Sequence, residues 1–99
     1  MPEVTVVCWR DIPAQVIVGT GRRVGARVHL GERFEQAIDR CAMKVGARDS
    51  DAYLAEWRKA PPYPVEGDPE TVAQAEAERL RAEYDSARLA ALIANDGRA

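Results

Sequence analysis

Ninety-nine residues, 46% apolar and 30% charged, suffice for one modest hydrophobic core and exclude a multi-core assembly. A formal net charge of −2 gives no overall pull toward nucleic acid or anionic lipid, and no apolar stretch approaches the ~18 residues of a membrane-spanning helix. Two cysteines are too few for a disulfide scaffold, and the Met1-Pro2-Glu3 start lacks the basic and apolar blocks of a signal peptide, so the expected compartment is a reducing cytoplasm.

Val4 to Trp9 is β-branched and aromatic, which favours a strand apolar on both faces. Arg10-Asp11-Ile12-Pro13-Ala14 breaks it, because Pro13 lacks an N–H and restricts Ile12. Gln15 to Gly19 reads as a second strand, and the short joint makes the pair an antiparallel hairpin. Gly19, Thr20, Gly21, Arg22 and Arg23 signal a turn with a basic tip. Val24 to Leu30 alternates weakly and reads as a third strand or an extended arm, weakened by Gly25.

The element that organises the chain follows. Phe34, Ala37, Ile38, Cys41, Ala42 and Val45 fall at helical spacing and form one apolar stripe. Glu35, Gln36, Asp39, Arg40 and Lys44 lie to the other side. Glu32 and Glu35 suit the first turn of this helix, and Gly46 suits its left-handed stop. Burying Phe34, Ile38 and Val45 contributes about 1.5–3 kcal/mol each as transfer terms, most of it offset by chain entropy.

Asp49 or Ser50 caps a short helix expected to reach about Lys59, with Ala52, Tyr53, Trp57 and Ala60 on one face. Pro61, Pro62 and Pro64 force an extended segment, pinned by Tyr63 and Val65. Asp68-Pro69-Glu70 is a strong helix start. The apolar phase changes after Tyr84, so the segment reads as two helices, roughly 69–84 and 86–95, with a single helix to Ala94 as the alternative. Residues 1–60 carry ten basic against eight acidic side chains, and residues 61–99 four against eight. The simplest use of that imbalance is attraction between the two halves.

The expected architecture is α+β: a β-hairpin or small antiparallel sheet packed by a central helix, with additional C-terminal helices. Residues 1–99 make a single domain, with a β-β-α-α core over 3–60 and an acidic helical segment over 68–95.

Chemistry-bearing patterns are sparse. Cys8, His29 and Cys41 lack the paired spacing of a zinc site, and both thiols sit in apolar patterns that predict burial. Gly19, Gly21 and Gly25 depart from the dinucleotide spacing, and the helix begins too late to meet a pyrophosphate. No catalytic set, metal or cofactor is called for. Arg22, Arg23 and Arg27 form the densest basic cluster and are the candidates for anion contact, although no aromatic residue interleaves with them as base stacking requires. Trp9, Arg10 and Asp11, with Trp57 and Arg58, pair indoles with charges at element ends. They are the candidates for partner contact, with core packing the competing role for each Trp.

Several phrases together resemble a known family. They are Cys8-Trp9-Arg10-Asp11-Ile12-Pro13-Ala14-Gln15-Val16, Glu32-Arg33-Phe34 leading into Ala37-Ile38-Asp39-Arg40, Ser50-Asp51-Ala52-Tyr53-Leu54, Trp57-Arg58, and the close Leu89-Ala90-Ala91-Leu92-Ile93. They resemble the small bacterial domain family named "virulence factor", over about residues 3–60 plus that close. The resemblance implies an association with virulence and no catalytic residues. It also implies kinship with domains joined to helical-repeat scaffolds, and stand-alone members that accompany folate- and corrinoid-dependent one-carbon enzymes. The expected function is a non-enzymatic accessory or protein-interaction module whose partner is another protein, a larger enzyme or a second copy. The alternatives are a helper of a one-carbon methyl-transfer system and weak nucleic-acid or anion binding through the arginine cluster. No membrane partner is expected, and the acidic net charge argues against nucleic acid.

Overall fold

Strand pairing begins where the sequence is most β-branched. A computed structural model describes residues 2–20, 23–47 and 50–99. In it β1 (Glu3–Trp9) and β2 (Ile12–Thr20) form an antiparallel hairpin, and β3 (Arg23–His29) adds to the outer side of β2. Arg10 turns the first hairpin with φ of 53°, a left-handed conformation that costs a non-glycine residue free energy. Arg10 N–H donates to the Glu56 carbonyl at 3.0 Å and Asp11 N–H to the Gly97 carbonyl at 2.8 Å. These two bonds hold the strained turn in place. Pro13 is accommodated where the ladder slips between Val7 and Cys8, since a bulge tolerates a missing donor. At the second slip only glycine fits, because a Cβ on Gly19 would collide with the Arg23 carbonyl.

Val4 faces Val18 and Val6 faces Val16 across the hairpin, and Val16 and Val18 face Val28 and Ala26 of β3. These six side chains make the apolar face of the sheet. The stripe of α1 (Glu32–Val45) belongs to the same core, with Phe34, Ala37, Ile38, Cys41 and Ala42 buried. α1 packs on β2 and on α4 (Ser86–Ala94), and α3 (Pro69–Glu83) lies on β2 and β3. The C-terminal segment forms two helices, each capped as a helix start requires. The Asp68 side chain accepts from Thr71 N–H at 3.1 Å, and that of Asp85 from Arg88 N–H at 2.8 Å. Arg81 of α3 donates to the carbonyls of Leu30 and His29, tying α3 to the β3–α1 joint.

Two elements depart from expectation: β2 already begins at Ile12, inside the expected break, because the slip in the ladder accommodates Pro13, and the helix expected to reach Lys59 stops early. The short helix α2 runs only Ser50–Ala55, and Trp57–Lys59 is a strand, β4, paired with β1. The common helical face of Tyr53, Trp57 and Ala60 therefore does not form. Two causes act together: the Val7–Trp9 edge of β1 needs backbone partners, and Pro61 disfavours helix at Ala60. Ala60 N–H continues the ladder to the Val6 carbonyl, and β5 (Tyr63–Pro64) pairs further along β1. The finished sheet has the order β3-β2-β1-β4, with β5 on the same side of β1 as β4. Asp49, one of the two expected caps of α2, lies outside the described residues.

Phe34 is 0% exposed, so Phe34→Ala should cost about 3–5 kcal/mol. The urea midpoint is then expected to fall sharply with an unchanged denaturant slope; a loss below about 1 kcal/mol would show that α1 does not hold the core.

Candidate functional site

Three aromatic rings prepare one flank of α1. Trp57 stands opposite Trp9 in the β1–β4 ladder, and Tyr53 lies beside both, at ring-centroid distances of 5.8 Å from Trp9 and 6.0 Å from Trp57. Trp9 is fully buried, and its Nε1–H donates to the Tyr53 carbonyl at 2.9 Å. That bond fixes α2 and leaves Tyr53 and Trp57 half-buried at the surface.

Tyr53 and Trp57 face α1 across a cavity of about 340 Å³, within the usual size of a ligand cleft. Glu35, Ile38 and Asp39, one helical turn apart, contribute the α1 wall. Ala14 and Gln15 of β2 and His29 at the end of β3 complete the lining. Glu35 and Asp39 are exposed, and neither forms an ion pair with another described residue. Gln15 Oε1 is buried with no hydrogen-bond partner, a condition that costs about 1–3 kcal/mol. Burial pushes the Tyr53 phenol up, and the Asp39 charge pushes it further. The Trp57 indole opposes the rise, and Glu35 adds to it. The phenol thus sits in the field of both carboxylates. Beyond Asp39 and Tyr53 the cleft opens into a shallower hollow lined by Ala42, Met43 and Ala47. Met43 is 62% exposed, and Leu54, next to Tyr53 on α2, is 61% exposed.

The other candidate residues are distributed differently. Arg10, Asp11 and Arg58 form a clasp at the hairpin end. Arg58 donates to the Arg10 carbonyl and to Asp11 Oδ1, at 2.8 and 2.6 Å. Arg10 donates to the Asp96 carbonyl, lies 3.4 Å from Glu56 and covers the Trp9 ring. Asp11 also accepts from Ala99 N–H at 2.7 Å. Gly97 fits beneath this clasp with φ of 79°, where a Cβ would stand 3.0 Å from Cys41 Sγ. Arg23 and Arg27 are exposed on β3, while Arg22 lies outside the described residues. Cys8 and Cys41 are free and buried, and burial pushes both thiols up. No group of three or more His, Cys, Asp or Glu among the described residues is placed to hold a metal ion.

Gln15, His29, Glu35, Asp39 and Tyr53 were not singled out by the sequence as a set. The available signal was local: two carboxylates four residues apart at the border of the α1 stripe, and two aromatics four residues apart at 53 and 57. Only Trp57 was already a candidate.

These features define an α+β domain, an antiparallel sheet packed by helices, with an acidic and aromatic cleft beside its central helix. The chain belongs to the family described as "Virulence factor", whose model matches residues 7–93, from β1 to the last turn of α4. No curated protein and no solved structure matches it. No helix among the described residues is long and apolar enough to cross a membrane.

The clasp makes stability pH-dependent. The Ala99 N–H holds the Asp11 carboxyl below its usual range, burial opposes this, and Arg58 reinforces it. A lowered carboxyl stabilises the fold fully above its unfolded value of about 3.9, and the contribution is lost as pH falls through the lower folded value. Asp11→Asn should therefore cost about 0.2–1 kcal/mol at neutral pH, the range of a partly solvated pair, and almost nothing near pH 2. Melting curves at both pH values check this; an equal deficit at both would remove Asp11 from the clasp.

Proposed function

We propose that the domain is a protein-interaction module that receives its partner in the groove between α1 and the α2–β4 segment. The observation that carries this reading is the cleft itself, where two carboxylates without ion-pair partners among the described residues and two half-buried rings meet beside exposed Met43. Aromatic anchors next to exposed apolar side chains are the usual makings of an interface centre. Of the five candidate partner contacts, Trp57 lies in the groove. Trp9, Arg10, Asp11 and Arg58 act one step back, holding β4 and α2 where the groove needs them. A larger enzyme or a second copy of the chain fits this reading as the partner.

Met43→Asp together with Leu54→Asp tests it, since both side chains are exposed and the core is untouched. A protein retained by the immobilised native domain is expected to be lost by the double variant at unchanged melting temperature. Equal retention by both forms would move the interface elsewhere.

A second reading rests on a separate observation. The sheet face away from the helices carries Arg23 and Lys59, together with Glu3, around a cavity of about 290 Å³, with Arg27 opposite Ile17 on β2. None of these three cations forms an ion pair with a described residue, and together they suit a polyanion. Binding of a short single-stranded oligonucleotide is then expected to weaken steeply with added salt and to drop further in Arg23→Gln/Arg27→Gln. Binding that ignores salt would dismiss this reading.

A further inference from the structure

We infer that the cavity between α1 and β4 receives the guanidinium of an arginine side chain from the partner protein. The inference rests on the docking role proposed for this groove and names what enters it. Among the lining residues, acceptors and ring faces predominate. The Glu35 and Asp39 carboxylates border it without ion-pair partners among the described residues. Trp57 and Tyr53 offer ring faces and edges, and a cation over an indole face is attracted by the ring quadrupole.

Three basic residues of the neighbouring elements are engaged elsewhere. Arg10 and Arg58 are held by Glu56, Asp96 and Asp11, and Lys44 by Asp96 and the Ala94 carbonyl. A guanidinium matches this lining better than an ammonium. Its planar fork can serve two carboxylates at once while stacking on a ring. The adjoining hollow with Ala42, Met43 and Ala47 gives a neighbouring apolar residue of the same partner a place to sit. That placement argues for a side chain on a peptide rather than a free amine.

The test uses the peptide acetyl-Leu-Ala-Ala-Arg-amide, the same peptide with citrulline for arginine, and agmatine, each titrated into the ¹⁵N-labelled domain. The arginine peptide is expected to shift the amide signals of residues 35–39 and 53–57 and the Trp57 indole N–H. It should bind at least about tenfold tighter than the citrulline peptide and tighter than agmatine. Glu35→Gln/Asp39→Asn, which changes two exposed side chains, should weaken it by about tenfold at unchanged melting temperature. Equal binding of the citrulline peptide would overturn the inference and leave the docking groove standing, provided Met43→Asp still weakens both peptides. Agmatine binding as tightly as the peptide would overturn the assignment to a partner's side chain. No saturable shift at about 10 mM peptide would overturn the inference whole, while the docking role is judged separately by partner retention in the Met43 and Leu54 double variant.

Discussion

The burial of Trp9 is the contact on which the other arrangements depend. Its indole is fully enclosed, yet its polar N–H needs an acceptor, and the Tyr53 carbonyl meets that need. One side chain thereby joins the end of β1, the helix α2 and, through the cross-strand position of Trp57, the strand β4. The Arg10 guanidinium lies over the same ring and reaches the C-terminal turn at Asp96. The hairpin turn, α2, β4 and residues 96–99 share this point, so the cleft wall built by Tyr53 and Trp57 inherits its rigidity from a residue that the cleft itself does not touch.

The sequence exposes some of this and hides the rest for physical reasons. α1 is legible because its stripe repeats for three turns and has one amphipathic solution. The break between α3 and α4 is legible because Asp85 can cap a new helix as soon as the apolar phase shifts at Tyr84. β4 is not legible, because Trp57, Arg58 and Lys59 have no pattern of their own and become a strand only when the edge of β1 offers backbone partners. The cleft is hidden for a related reason. Glu35 and Asp39 look like the solvated side of α1 until α2 and β4 stand beside them, and Gln15 looks like any strand residue until its amide oxygen is enclosed.

Charge is likewise used in two ways that a count does not separate. The imbalance between residues 1–60 and 61–99 suggests attraction between the halves, and Lys44 to Asp96 and Arg98 to Glu56 join them. Arg33 and Arg81 also bridge the halves, but by donating to carbonyls of the other part rather than to acids. Arg79 spends its charge locally on Glu76 and Glu83 of its own helix, at the spacing that lets side chains one turn apart meet. Among the described residues without ion pairs are the carboxylates of Glu35 and Asp39 on α1 and three cations, Arg23, Arg27 and Lys59, on the opposite face of the sheet.

The two prolines between β4 and β5 have a consequence for the protein in a crowded cell. A sheet margin with a continuous row of free amide and carbonyl groups invites other chains to add on, and growth of that kind ends in aggregates. Here one margin is cut into a three-residue and a two-residue piece, separated by Ala60 and two residues that have no amide hydrogen to offer. The other margin, β3, carries Arg23 and Arg27 and slips register near Gly25. Both borders are therefore poor templates for a neighbouring copy, so the domain can keep an open sheet face without stacking into fibrils.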